Sequence, residues 1–366
     1  MMLSSGVIAI AYALLIGSFY YGFQKKKTLN VKELRIKTNF SILIAFRNEA
    51  ENLPALLDSI SKLNYPTTAF EIMFIDDHSQ DDSVKIIKEF SNENVHLNIH
   101  ILANKKTGKK NAISLGVNNT QFDWVVTTDA DCELPTQWLN AYNSLTQTAN
   151  YEFIAAPVAF NGNNSFLHQF QIIDFLSLQG STMGSFSIGK PFMSNAANSA
   201  FYKPTFQKLN GFKGNENIAS GDDVFLLEKM IQQNLSKIGF LNSEDAIVTT
   251  NPQNSWSALL NQRMRWAAKA TAFKNSFGIF VGSVIFCFNA IIVILPFFSI
   301  KLALCLMILK ILIDGFLIFA SARFFSKKIS PIQFIASSFY YPIFSIGIFI
   351  STLLFTFKWK GRTFKK

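Results

Sequence analysis

The chain has 366 residues, 49% of them hydrophobic, with a mean hydropathy of +0.22 and a formal charge of +10. That balance is too apolar for an ordinary soluble domain and indicates a membrane protein with a soluble part. The charge does not indicate nucleic acid: the lysines gather beside apolar runs, at Lys25-Lys26-Lys27, Lys327-Lys328 and from Lys358 to Lys366, where such clusters set membrane orientation and attract anionic lipid. Residues 2–23 are apolar over about the length that spans a bilayer. They are longer than a signal-peptide core, have no basic residue ahead of them and lack a small-x-small cleavage site, so they read as a retained anchor and not a cleaved signal. The lysines that follow put the next domain in the cytoplasm.

Beyond residue 39 the pattern changes. Apolar runs at 40–45, 70–75, 97–102 and 124–128 read as strands, and residues 52–62, 82–90 and 109–117 between them carry apolar side chains at helical spacing. This alternation predicts an α/β fold, a Rossmann-like and mostly parallel sheet covered by helices, with ligands beyond the carboxyl ends of the strands.

The residues after those strands are polar in the way such a site requires. Arg47, Asn48 and Glu49 follow the first strand, Asp76-Asp77-His78-Ser79 the second and Asp129-Ala130-Asp131 the fourth. In extended backbone side chains alternate, so Asp129 and Asp131 point the same way with the small Ala130 between them. Paired carboxylates suit Mg²⁺ or Mn²⁺, and an ion held by one or two of them completes its shell with phosphates and water. Read alone, Asp-x-Asp is also an ordinary solvated turn. Asp76 or Asp77 can accept hydrogen bonds from a uracil or ribose, and Arg47 can face a phosphate with its planar fork. Asp81 and Asp82, ahead of Ser83-Val84-Lys85-Ile86-Ile87, read as helix-start caps.

His96 and His100 are four apart, but Leu97, Ile99 and Ile101 alternate with them, which predicts a strand with a solvated polar face and not a metal pair. The loop Asn104-Lys105-Lys106-Thr107-Gly108-Lys109-Lys110 lacks the first glycine of Gly-x4-Gly-Lys-Ser/Thr, and Asn111 stands where the hydroxyl belongs, which disfavours a P-loop kinase or ATPase. Lys109 at a helix start still suits a diphosphate, because its charge and the helix N-terminus both favour anions.

Together, Ser41-Ile42-Leu43-Ile44-Ala45-Phe46-Arg47-Asn48-Glu49-Ala50-Glu51-Asn52-Leu53, Ile75-Asp76-Asp77-His78-Ser79, Gly108-Lys109-Lys110-Asn111-Ala112 and Asp129-Ala130-Asp131 resemble, in order and spacing, the family 2 inverting glycosyltransferases. The similarity runs from about residue 39 to 266. It implies a GT-A fold, a nucleotide-sugar donor, with a UDP-sugar expected, and a divalent metal. It assigns Asp76 and Asp77 to the nucleoside, Asp129 and Asp131 to the diphosphate and metal, and Arg47, Glu49, Lys109 and Asn198 to the same donor. The stretch from Met193 to Lys203 resembles the family's donor-sugar and acceptor segment, with serine and asparagine where glycines are common. Ala219-Ser220-Gly221-Asp222-Asp223-Val224 resembles the segment in which an acid-Asp pair precedes an apolar helix. By that resemblance Asp223 is the base that takes the acceptor proton, and Asp222, in place of the more usual glutamate, supports it. On spacing alone both acids equally read as caps of a helix at 224–233.

In Gln262-Arg263-Met264-Arg265-Trp266, Gln262, Arg265 and Trp266 fall on one helical face suited to a diphosphate and an acceptor. This resembles the Gln-x-x-Arg-Trp pattern of membrane-bound members, polysaccharide synthases included. Arg263 with Lys269 reads as lying along an anionic membrane surface. Residues 277–300, 302–320 and 331–357 are candidate spans with basic flanks. Three crossings after a cytoplasmic domain leave the C-terminus outside, against its basic charge, unless one segment is re-entrant, with Pro342 as a break, or the charge rule fails. Lys310 and Asp314 are spaced to pair, which puts their segment against protein. Cys132, Cys287 and Cys305 have neither metal-ligand spacing nor a disulfide framework.

The expected organisation is an anchor at 1–24, a basic linker at 25–38, a catalytic domain at 39–250, an amphipathic interfacial helix at 251–276, about three spans at 277–357 and a basic tail at 358–366. The expected activity is transfer of a single sugar to a lipid or lipid-linked acceptor at the cytoplasmic face of a bacterial inner membrane. A processive polysaccharide synthase is the enzymatic alternative, for which about four spans form a modest channel. A non-catalytic nucleotide-sugar-binding scaffold is disfavoured by the presence of Asp129, Asp131 and Asp223. A transporter is disfavoured because the spans offer only Lys310 and Asp314 as charged groups.

Overall fold

The computed structural model describes residues 2–25, 28–29, 35–216, 218, 221–270, 272–355, 357–359 and 362–364. Lys26, Lys27, Ala219, Ser220 and much of the basic tail, all singled out above, lie outside them. The chain forms two compact units: one is Lys27–Ala159 with Met193–Asn251, the other Met1–Lys26, Phe160–Phe192 and Pro252–Lys366. The catalytic domain expected at 39–250 is therefore interrupted. Residues 160–192 belong with the apolar helices.

The chain opens with α1 (Met2–Lys25) and enters the α/β unit at β1 (Phe40–Phe46), followed by α2 (Leu53–Ser61), β2 (Phe70–Asp76), α3 (Ser83–Glu93), β3 (Ile99–Ala103), α4 (Lys109–Asn119) and β4 (Trp124–Thr127). β1 and β2 are buried almost throughout, and their near-continuous apolar sequences are those of parallel strands covered on both faces. β3 starts at Ile99, two residues later than expected, which leaves His96 in a turn. Next come β5 (Cys132–Glu133), α5 (Trp138–Thr148), β6 (Phe153–Ala155) and β7 (Val158–Phe160). After α6 (Phe166–Ser187) in the other unit, the chain returns with β8 (Ser199–Tyr202), α7 (Lys203–Lys208), α8 (Asp222–Asn234), β9 (Ile238–Phe240) and β10 (Val248–Thr250). The main sheet has the order β3-β2-β1-β4-β8-β6-β9, with β8 antiparallel to both neighbours; β5, β10 and β7 form a small second sheet. Strand order reverses between β1 and β4, and a crevice opens at such a switch point beyond the carboxyl ends. Asp129 stands two residues beyond β4 there.

In the other unit, α10 (Ser276–Ile294), α11 (Ile300–Phe324) and α12 (Pro331–Leu354), with α1, are four helices long and apolar enough to cross a membrane. α12 continues through Pro342, so the expected break there is absent; proline is tolerated in apolar helices whose neighbours satisfy the freed backbone. α1 crosses α6 where Gly22 meets Gly184, and a Cβ on either glycine would strike the other helix's backbone. Lys310 pairs with Asp314 as its spacing predicts, and the Tyr12 hydroxyl donates to Asp314 at 2.5 Å and accepts from Lys310 at 3.1 Å. α9 (Trp256–Ala270) carries the Gln-x-x-Arg-Trp residues, and a short hairpin, β11 (Phe357–Trp359) with β12 (Arg362–Phe364), follows α12.

Candidate active site

The loops after β1 and β2 form the first wall of the crevice, and each fastens the other. Asn48 N–H donates to Ser79 Oγ at 3.1 Å, and Gln80 N–H donates to Asn48 Oδ1 at 2.8 Å. Glu49 N–H reaches Ser83 Oγ at 2.8 Å, and Ala50 N–H reaches Asp81 Oδ2 at 3.0 Å. Asn48 and His78 hold left-handed backbone, at φ 51° and 65°, which a mutually braced pair of turns can maintain. Asp82 occupies the N-cap position of α3 without a side-chain cap bond, while Asp81 accepts from Ser83 N–H and Oγ. Burial pushes the Asp81 carboxyl up, but its bonds from Ser83 and Ala50 outweigh this and hold it below the usual carboxylate range. Ser83 is fully buried at this junction. Ser83→Ala, which orphans the Glu49 N–H, is expected to cost about 1–3 kcal/mol, read as a lower urea midpoint with an unchanged slope.

Asp77 is buried, and its Oδ1 accepts from Asn104 Nδ2 at 2.8 Å and Gly108 N–H at 2.9 Å. It therefore fastens the loop ahead of α4. Asp76, half-buried beside it, accepts from Ser79 N–H through Oδ1. Arg47 donates from Nη1 to the Asp77 carbonyl at 2.8 Å. Its Nε is buried without a hydrogen-bond partner among the described residues.

With its loop fixed, Lys109 starts α4 and directs its ammonium to two acids: 2.5 Å from Asp129 Oδ1 and 3.2 Å from Asp222 Oδ2. Burial opposes that charge, but Asp129 and Asp222, with Asp223 beyond, outweigh it and push the Lys109 pKa up. Asp131 is exposed on one side, yet the surrounding protein, then the charges of Asp129 and Glu49, push its carboxyl up to about 6. Cys132 beneath is buried, and burial followed by Asp131 and Asp129 drives its thiol well above the usual range, so it remains protonated. Asp222 and Asp223 occupy the first turn of α8, behind Gly221 at φ 86°. Asp222 is buried, whereas Asp223 is half-buried and accepts from Val224 N–H at 2.8 Å.

Lys110, one residue from Lys109, has another task. It is buried, donates to the carbonyls of Asn215 and Ile218 at 2.7 and 2.9 Å, and stands 4.5 Å over the Phe225 ring. It ties α4 to the segment that leads into α8, and nothing in the lysine-rich loop sequence distinguishes it from Lys109.

Two sequence expectations are corrected. Asn198 is fully buried, accepting from Trp138 Nε1 and the Tyr142 hydroxyl, both at 2.9 Å, and donating to the carbonyls of Pro157 and Ala246, both at 2.7 Å. Its whole amide is engaged inside the protein, so it braces the core and does not contact a donor sugar. Arg263 does not lie along a membrane surface. It is buried, donates to Asp174 Oδ2 at 2.9 and 2.6 Å and to Gln262 Oε1 at 2.7 Å, and stacks 4.2 Å over Trp266. A buried guanidinium needs a paired carboxylate, and α6 supplies one. Gln262 and Trp266 thus both contact Arg263 within their own unit.

Residues 41–205 match the family described as Glycosyl transferase family 2, and residues 124–357 match Glycosyl transferase family group 2. The chain belongs to the family 2 glycosyltransferases. It is 38% identical over 96 residues to an undecaprenyl-phosphate 4-deoxy-4-formamido-L-arabinose transferase from Yersinia pestis (strain Pestoides F), a stretch covering 26% of this chain and 29% of that protein. The same identity and coverage hold for the transferase of that name from Yersinia pseudotuberculosis serotype O:3 (strain YPIII). The chain thus matches less than a third of the length of these relatives. Its fold is similar to that of the mannosyltransferase PcManGT from Pyrobaculum calidifontis, solved in complex with GDP-Man and Mn2+, with a TM-score of 0.58 at 16% identity over 96% of this chain and 99% of that one. The α/β unit is a GT-A fold, and the protein is a glycosyltransferase with, among the described residues, four apolar helices of membrane-spanning length.

Proposed function

We propose that this protein transfers one sugar from a nucleotide-diphospho-sugar, a UDP-sugar by the sequence reading, to a lipid or lipid-linked acceptor at the cytoplasmic face of a bacterial inner membrane. The carrying observation is the convergence of Asp129, which follows β4, and Asp222, in the first turn of α8, on the Lys109 ammonium. That geometry joins the acid pair suited to a diphosphate to the turn bearing Asp223. Asp223, the more open of the two helix acids, takes the proton of an acceptor hydroxyl while the nucleoside diphosphate departs from the opposite face of the sugar. Asp76 and Arg47 are assigned to the donor.

The residues fit a divalent ion. Asp131 stands close enough to Asp129 and Glu49 for their charges to raise its pKa, and Mn2+ accompanies the donor in the Pyrobaculum mannosyltransferase. Among the described residues no group of three or more His, Cys, Asp or Glu could hold a metal, so phosphate oxygens and water would complete the shell. When bound, the ion neutralises charge building on the departing diphosphate.

A pH prediction follows. Because folding raises the Asp131 pKa to about 6, that group's contribution to stability is present below the ordinary carboxylate pKa of about 4 and is lost as pH rises through about 6. A cation that relieves the repulsion should therefore raise the melting temperature at about pH 7.5, and most of that gain should vanish at about pH 5. Thermal unfolding with Mn²⁺ against EDTA, both in saturating UDP or GDP, measures it.

A second acceptor reading, a polyprenyl phosphate, is favoured by the undecaprenyl-phosphate named in the Yersinia relatives. To test the proposed function, detergent-solubilised protein is incubated with a panel of nucleotide sugars, Mg²⁺ or Mn²⁺ and lipid extract, and nucleoside diphosphate release is followed. Release that needs both metal and lipid supports it; donor binding without turnover under every acceptor would support the scaffold alternative instead.

A further inference from the structure

The Lys109 side chain is one-fifth exposed, Asp129 one-third and Asp222 one-tenth. The ammonium therefore lies at the mouth of the acid cluster, reachable from the crevice, with its more open contact on the aspartate assigned to the diphosphate and metal. Its backbone has no such freedom. The Gly108 N–H is fixed on Asp77, and Lys110 is fixed on the carbonyls of Asn215 and Ile218. α4 and the approach to α8 are thus joined independently of Lys109, and only the Lys109 side chain needs to turn for its two ion pairs to open.

Resting on the metal-assisted reading above, we propose that Lys109 is a resident counter-ion of the acid cluster: its ammonium holds the carboxylate face of Asp129 that a divalent ion would use, and it leaves only when a nucleoside diphosphate arrives to receive its charge. An ammonium and a divalent ion cannot share that face. Their competition weakens metal binding alone, because the ion must displace Lys109 into the crevice without a new anionic partner. A diphosphate supplies that partner, relieves the competition and releases Asp222 in the turn that carries Asp223. Metal and diphosphate then bind with positive coupling, and each strengthens the other by the same factor. Lys109 is in this sense a positioning residue that ties metal loading to donor arrival and disfavours a metal-charged, donor-free site.

The test is Mn²⁺ binding to the full-length protein in detergent, followed by the electron paramagnetic resonance of free Mn²⁺, alone and with saturating UDP or GDP. Wild type should bind Mn²⁺ at least about tenfold more tightly with one of these nucleotides than without. Lys109→Met should tighten nucleotide-free Mn²⁺ binding by about tenfold and bring the coupling close to one, whereas Lys109→Arg, which keeps the charge, should retain the coupling. Asp222→Asn removes one of the two anchors and should tighten nucleotide-free binding by about two- to fivefold, an independent check should Lys109→Met fail to fold. Unchanged or weaker nucleotide-free Mn²⁺ binding in Lys109→Met or in Asp222→Asn, with wild type still binding Mn²⁺ in the presence of nucleotide, overturns the counter-ion role alone. If wild type takes up no Mn²⁺ under either condition, the metal reading of Asp129 and Asp131 fails, and this inference fails with it.

Discussion

Replacing Asp223 by asparagine is expected to lower turnover by about 10²- to 10⁴-fold, the usual contribution of a positioned general base, while nucleotide-sugar affinity stays within about twofold of wild type. The side chain keeps its size and its oxygen for the Val224 N–H, so the α8 turn should persist. What is lost is the capacity to take a proton. The same variant separates the two acceptor readings, because a phosphate monoester is already largely ionised at neutral pH and gains little from a base. A loss of less than about tenfold, with normal folding, would point to a phosphate acceptor. Steady-state kinetics with isothermal titration of the donor distinguish these outcomes.

The second large effect is expected at Asp131. Asp131→Asn should weaken metal-dependent donor binding by at least about 10- to 100-fold, the range seen when support for a bound metal is removed. Metal-independent binding of the nucleoside should change little, because Asp76 and Arg47 stand on the other strand ends. The variant should also lose the pH-dependent thermal gain from Mn²⁺, since it has no carboxyl to titrate near pH 6. Normal metal-dependent binding in Asp131→Asn would remove Asp131 from the site. Donor titrations with Mn²⁺ and with EDTA supply both halves of the comparison.

Much of the α/β unit was legible because its first four strands are apolar runs of four to seven residues separated by helices of ordinary period. The later strands were not. β6, β8 and β9 are three or four residues long, and their pairing depends on partners far away in sequence. α6 is hidden for another reason. It buries Gln169, Gln171, Asp174, Gln179, Thr182 and Ser185 among its apolar residues, so no clean hydrophobic stripe marks it.

The site divides along similar lines. Asp129, Asp131, Asp222 and Asp223 were visible because local sequence puts acids at a strand end and in a helix's first turn. The role of Asn198 is written in Trp138, Tyr142, Pro157 and Ala246, which no spacing rule connects. Arg263 looked like a surface cation until α6 brought Asp174 to it. Lys109 and Lys110 are neighbours of one residue type, and only the fold sends one to the acid cluster and the other to a pair of backbone carbonyls.

Single-sugar transfer to a lipid is directly measurable. The most direct measurement is mass spectrometry of the organic-extractable product formed by the purified protein from a nucleotide sugar, metal and lipid acceptor. The acceptor's mass should increase by one sugar, in amounts equal to the nucleoside diphosphate released. A ladder of many added sugars, or sugar released in water-soluble form with the lipid unchanged, would contradict it.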